Sequence, residues 1–178
     1  LKAALGSMGG EMIGRGRAVK EATPGHPIKG SAYFFEFNCT AIEVEVDRGT
    51  GELTVLRHVA VSDTGKSLNP MQVRGQDDGG AIMGLGHAMM EHYIFDENGR
   101  VRNLGAIDYR IPTSKDLPRE LISEQIENCD GPGPYGAKGI SEGTILCVAP
   151  ALGAAVRDAI GIPIRDLPLT PERVWRAI

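Results

Sequence analysis

The stretch from Ser31 to Ser62 limits the possible folds more than any other part of the chain. In its first half Tyr33, Phe35 and Phe37 alternate with Phe34, Glu36 and Asn38, and Ile42, Val44 and Val46 alternate with Glu43 and Glu45. A period of two sends successive side chains to opposite faces, as in a strand. Turn residues follow in Asp47-Arg48-Gly49-Thr50-Gly51, and Glu52 to Ser62 resumes with Leu53, Val55, Val59 and Val61 apolar. The pattern predicts one long β-hairpin. Its apolar face needs a cover, which later helices must provide.

Those helices can be read in turn. Asp63 to Pro70 is a turn segment, and Pro70 suits the first position of a helix, where a missing N–H costs nothing. That helix should run to about His92, with Val73, Ile82, Leu85 and Met89 inward. Glycine is unusually frequent, at 24 of 178 residues, and clusters in 75–86 and 131–143. Gly79, Gly80, Gly84 and Gly86 inside a helix would each cost about 1 kcal/mol relative to Ala, so close packing is expected there. Tyr93–Phe95 and Val101–Asn103 flank a second turn, Asp96-Glu97-Asn98-Gly99-Arg100. A further strand is expected at Ile122–Glu127, a Gly/Pro loop at Cys129–Lys138, and a packed helix at Glu142–Ile160 despite Pro150. A last helix, Pro171–Ala177, has Thr170 as its cap. Residues 1–30 carry helix-breaking Gly25-His26-Pro27 and scattered glycines, and read as an irregular N-terminal arm. The expectation is an α+β fold: a long β-hairpin sheet with glycine-rich and C-terminal helices packed on it, in one domain over residues 31–178.

Several functional classes are disfavoured. The formal net charge is −4 with scattered charges, so no basic face suggests nucleic acid. No apolar run approaches the roughly 20 residues of a membrane span. Cys39, Cys129 and Cys147 form no Cys-x-x-Cys pair, which argues against an iron–sulfur or structural zinc site and for reduced thiols. His26, His58, His87 and His92 lack ligand spacing. There is no Walker pattern and no Gly-x-Gly-x-x-Gly run after a strand.

Chemistry concentrates in Gly131-Pro132-Gly133-Pro134-Tyr135-Gly136-Ala137-Lys138-Gly139-Ile140-Ser141-Glu142-Gly143. A glycine-rich loop runs into a helix, and one carboxylate sits at the junction. N–H groups at a helix start can hold anions or polarised oxygens, and a carboxylate there can be tuned as a general base. The same residue also reads as a plain first-turn acid favoured by the helix dipole.

Lys138-Gly139-Ile140-Ser141-Glu142 resembles the active-site loop of the molybdenum hydroxylases, the family of xanthine dehydrogenase, aldehyde oxidase, nicotinate dehydrogenase and aerobic carbon monoxide dehydrogenase. The family loop usually reads Lys-Gly-Val-Gly-Glu; Ile140 replaces Val and Ser141 replaces the second Gly. Val59 to Gly65 followed by Leu68-Asn69-Pro70 is similar to the family's strand and turn. Gly75-Gln76-Asp77-Asp78-Gly79-Gly80 with Gly84-Leu85-Gly86 resembles its glycine-rich helix, although Asp77 and Asp78 are unusual there. Tyr109 to Pro118 looks like its Tyr-x-x-Pro-Thr segment, and Leu167 to Val174 its closing helix. The motifs keep their order over residues 30–178.

The resemblance implies the C-terminal part of a molybdopterin-binding large subunit and a hydroxylase that places water-derived oxygen on an electrophilic carbon, as in an aldehyde or N-heterocycle. Glu142 would be its general base. Gln76 would hydrogen-bond the molybdenum-pterin cofactor, molybdopterin or its cytosine dinucleotide form, and Lys138, Gly139, Ile140 and Ser141 would line it. No side chain is implied as a metal ligand. The 2Fe-2S clusters and FAD of such enzymes would lie on partner chains or other domains, and the location implied is the cytoplasm. The chain opens without an initiator Met, as a fragment or a processed chain would, and the resemblance implies a piece of a larger subunit. Two rivals remain at this point: a non-catalytic relative that binds no molybdenum, favoured by Ser141 and the Asp77-Asp78 pair, and an unrelated anion-binding module.

Overall fold

The computed structural model describes residues 13–17 and 34–178. Apart from 13–17, the expected arm and the first three residues of the expected hairpin lie outside the described residues. β1 (Asn38–Val46) and β2 (Leu53–Asp63) pair antiparallel, from Asn38 opposite Ser62 to Val46 opposite Leu53. The Asp47 carboxylate ties the turn by accepting from Gly49 N at 2.7 Å. Ladder pairing starts at Asn38 rather than Ser31, because β2 ends at Asp63 and offers nothing further to pair with. Residues 34–37 keep the alternation, with Phe34 and Glu36 half-buried and Phe35 and Phe37 exposed.

A bulge interrupts the hairpin. Glu43 faces Arg57 while Val44 faces Val55, which leaves Leu56 without a partner. One extra residue inverts the parity of everything beyond it. Leu53 and Val55 point inward before the bulge; His58, Ala60 and Ser62 point inward after it. Val59 and Val61, expected to continue the apolar set, are half-buried on the opposite face.

β3 (Glu120–Ile126) adds to the free side of β2 and runs parallel to it, giving the order β1-β2-β3. Parallel neighbours need a long crossover, and α1 (Pro70–Met89) supplies it. The Asn69 side chain caps α1 by accepting from Gln72 N at 3.2 Å. α2 (Gly143–Ile160) packs against α1 and β1, and ends at Gly161 with φ 82°. Its stripe of Val148, Leu152, Val156 and Ile160 joins Leu53, Val55, Leu85, Ala88, Leu169 and Val174 in the core. Pro150 removes the N–H that would bond the Leu146 carbonyl. Both residues lie on the exposed side, so the helix continues without kinking. α3 (Pro171–Ala177) is capped by Thr170, which accepts from Arg173 N at 3.3 Å.

Two expectations need correction. The second turn, whose Asn98-Gly99 pair is a hairpin signal, closes only a single bridge between Phe95 and Val101. α2, at 18 residues and a mean hydropathy of 1.4, is long and apolar enough to cross a membrane by length and composition; its buried stripe makes it the core helix here. The expected close packing of α1 holds at Gly84, where a Cβ would lie 2.6 Å from that of Val148, and at Gly80, 3.3 Å from Thr144 Cβ. Gly79 faces open space.

Candidate cofactor-binding and catalytic site

The loop that leads into α2 docks on the turn after β2. Lys138 N donates to Thr64 O at 3.0 Å, and Cys129 N to Gly65 O at 2.9 Å. Gly65, at φ 65°, permits this approach, because a Cβ there would collide with the Gly136 carbonyl. Gly131 N closes the loop on Gly136 O at 2.8 Å.

The Lys138 side chain does not reach toward a ligand. It is 3% exposed and pairs with Asp63 at 2.6 Å and with Asp130 at 2.8 Å. Burial works against its charge, but the bonds to Asp130 and Asp63 outweigh that and hold the ammonium above its ordinary value. Burial likewise opposes the Asp63 carboxylate. The Lys138 ammonium, the Gly65 amide and the Asn128 amide together hold it below its ordinary range. This buried pair fastens the loop to the sheet.

Beyond Lys138, the loop meets α1. Gln76 Nε2 donates to the carbonyl of Ser141 at 2.6 Å. Beside that bond lies a cavity of about 650 Å³, whose lining includes Gln72, Gly75, Gln76, Ala137, Lys138 and Ile140. Gly139 sits over the Phe34 ring, so a Cβ there would be 3.2 Å from Phe34 Cζ. Ser141 is exposed, which gives its side chain room. Glu142 occupies the N-cap of α2, exposed and without a capping bond from its side chain. A capping role therefore does not account for it, since Asn, Asp or Ser would serve better. The structure thus brings Gln76, Lys138, Gly139, Ile140, Ser141 and Glu142 to one place.

Other polar residues gather just behind Glu142. Asp77, 1% exposed, accepts from Thr144 Oγ1 at 2.6 Å and from Gln125 Nε2 at 3.1 Å. The Ser62 hydroxyl lies 2.9 Å from Asp77 Oδ1 and 2.7 Å from Asn38 Oδ1; its one proton serves one of them at a time. Asn38 Nδ2 reaches Glu36 Oε1 at 3.2 Å. A Cβ at Gly143 would push against the Glu36 carboxylate and the Asn38 amide, so a larger residue after Glu142 needs those side chains to shift. Burial raises the Glu36 carboxyl above its ordinary value, against the Asn38 bond, with Asp77 and Asp63 adding to the rise. Asp78 accepts from Ser123 at 2.7 Å. The Asp77-Asp78 pair, which favoured a non-catalytic relative in the sequence, thus has a use in packing. The burial of Asp77 escaped the sequence reading although its spacing from Val73, Ala81 and Leu85, in steps of four, places it on the buried stripe of α1.

These elements define an α+β domain with an open cavity between a glycine-rich helix and a loop whose Glu142 carboxylate has no bonding partner among the described residues. The molybdopterin cofactor-binding domain family matches residues 4–118. The match includes part of the N-terminal segment and stops before the Glu142 loop. The chain is 41% identical over 140 residues to the putative xanthine dehydrogenase molybdenum-binding subunit of Escherichia coli (strain K12), covering 78% of this chain and 18% of that one. It is 31% identical to the 6-hydroxypseudooxynicotine dehydrogenase complex subunit gamma of Paenarthrobacter nicotinovorans, over 82% of this chain and 18% of that one. The crystal structure of quinoline 2-oxidoreductase from Pseudomonas putida 86 superposes with a TM-score of 0.68 at 35% identity, over 75% of this chain and 17% of that one. The chain belongs to the molybdopterin cofactor-binding domain family, and spans under a fifth of the length of these relatives.

Proposed function

We propose that this chain forms part of the active site of a molybdenum-dependent hydroxylase, with Glu142 as general base. The bond from Gln76 to the Ser141 carbonyl carries the reading. It joins the glycine-rich helix to the carboxylate-bearing loop at the edge of a cavity large enough for part of a pterin.

The residues present suit that group. Gly75 lines the cavity with nothing within 4 Å of a Cβ built on it, so any side chain there would project into the space. The donors nearby include the side-chain amides of Asn69, Gln72 and Gln76, fit for hydrogen-bonding a cofactor's oxygens and sulfurs. Among the described residues no group of three His, Cys, Asp or Glu side chains could hold a metal ion. The metal would be held through the pterin, as the family resemblance implies. Gln76 would hydrogen-bond the cofactor, and the backbone from Lys138 to Ser141 would line it.

When bound, the molybdenum-pterin group supplies the two-electron oxidation. The Glu142 carboxylate takes the proton from a water-derived oxygen nucleophile, which then attacks an electrophilic carbon such as that of an aldehyde or N-heterocycle. Base catalysis of this kind is worth roughly 10²–10⁴-fold. Iron–sulfur and flavin groups would lie on partner subunits or on the remainder of the subunit. Three free thiols fit a reducing cytoplasm.

In the assembled enzyme, Glu142→Gln is expected to keep its molybdenum and to lose turnover by at least about 10²-fold. Near-normal turnover would refute the base assignment.

A further inference from the structure

Consecutive residues of α1 hold the two sides of the Glu142 loop. Gln76 binds the carbonyl of Ser141, immediately before Glu142. Asp77 binds the hydroxyl of Thr144, two residues after it. Neighbours on a helix diverge by about 100°, so Gln76 faces the cavity while Asp77 faces the interior. Asp77 is itself fixed to the sheet through Ser62 on β2 and Gln125 on β3.

A buried carboxylate is a costly choice on a helix side otherwise made of Val73, Gly80, Ala81, Gly84, Leu85, Gly86 and Ala88. An apolar side chain would pack there without that cost. The carboxylate adds a directional hold on the first turn of α2, where Gly80 already lets Thr144 approach closely. Glu142, whose side chain makes no capping bond and no hydrogen bond among the described residues, depends on that turn for its direction.

We propose that Asp77 is a positioning residue which, acting through Thr144, fixes the start of α2 and so aims Glu142. The proposal rests on Glu142 being the base. Thr144→Val keeps the shape and loses the donor, whereas Thr144→Ser keeps the donor. In the assembled enzyme, Thr144→Val should lower kcat roughly tenfold or more with KM and molybdenum content unchanged. Amide hydrogen exchange should quicken in 139–145 and stay at wild-type rates elsewhere. Thr144→Ser should restore both. Asp77→Asn, whose amide oxygen can still accept, should fall between.

Wild-type kcat and exchange in Thr144→Val would overturn the proposal. So would faster exchange across the whole chain with loss of molybdenum, because that is the mark of a general packing role. Glu142→Gln, run alongside, keeps the two ideas separate. Normal turnover there refutes the base, while the local exchange still decides whether Asp77 holds the loop.

Discussion

Lys138 opens the loop motif, and its charge is spent on structure. With Asp63 10% exposed beneath it, Lys138→Met would strand a largely buried carboxylate and should destabilise the fold by a few kcal/mol, read by thermal melting. Asp63 ionises more readily folded than unfolded, so its contribution is present above the ordinary carboxyl value of 3.8 and is lost as pH falls through its lowered folded value. Glu36 is the opposite case. Its raised folded value means that ionisation works against folding at neutral pH. Glu36→Gln should therefore raise the melting temperature at pH 7, and the gain should vanish as pH falls toward 4.5. A gain that persists below that value would assign it to something other than charge. Glu142 was legible in the sequence as a residue but not as a geometry, since its exposed place at the start of α2 without a capping bond is set only when that helix packs on the rest of the fold.

At the scale of elements, the hairpin, the three helices, Pro70 at the first helical position and the Thr170 cap were all readable, because each depends on local period and turn chemistry. The parity of β2 was not. Leu56 is an ordinary residue, and nothing in the sequence marks it as the bulge that turns His58, Ala60 and Ser62 inward. The parallel pairing of β3 also escaped, since it is decided by the crossover through α1. His58 shows what the inversion costs. It is fully buried, and neither ring nitrogen has a partner among the described residues. Burial lowers its ionisation below the ordinary 6.5, so stability should fall as pH drops from that value toward the lowered one. His58→Leu should flatten that slope in pH-dependent melting. In α1, Gly84→Ala should destabilise by about 1–3 kcal/mol through collision with Val148, whereas Gly79→Ala, facing open space, should not.

The molecule as a whole is a fraction of its relatives' length, and its surface is consistent with that. Ile107, Leu104 and Leu146 are each more than three-quarters exposed. The sequence singled out Gln76 and the 138–142 loop through motifs that keep order and spacing, and the two adjoin. It could not identify the residues behind them, because Asn38, Ser62, Asp77, Gln125 and Thr144 come from five separate elements or element ends. The central claim is that α1 and the Glu142 loop form one wall of a molybdenum-pterin site. The direct test is to purify the chain from its native host with whatever accompanies it, and to measure molybdenum per chain by elemental mass spectrometry. Near-stoichiometric molybdenum with co-purifying subunits is the expected result. No molybdenum, with those subunits present and cofactor synthesis intact, would contradict it.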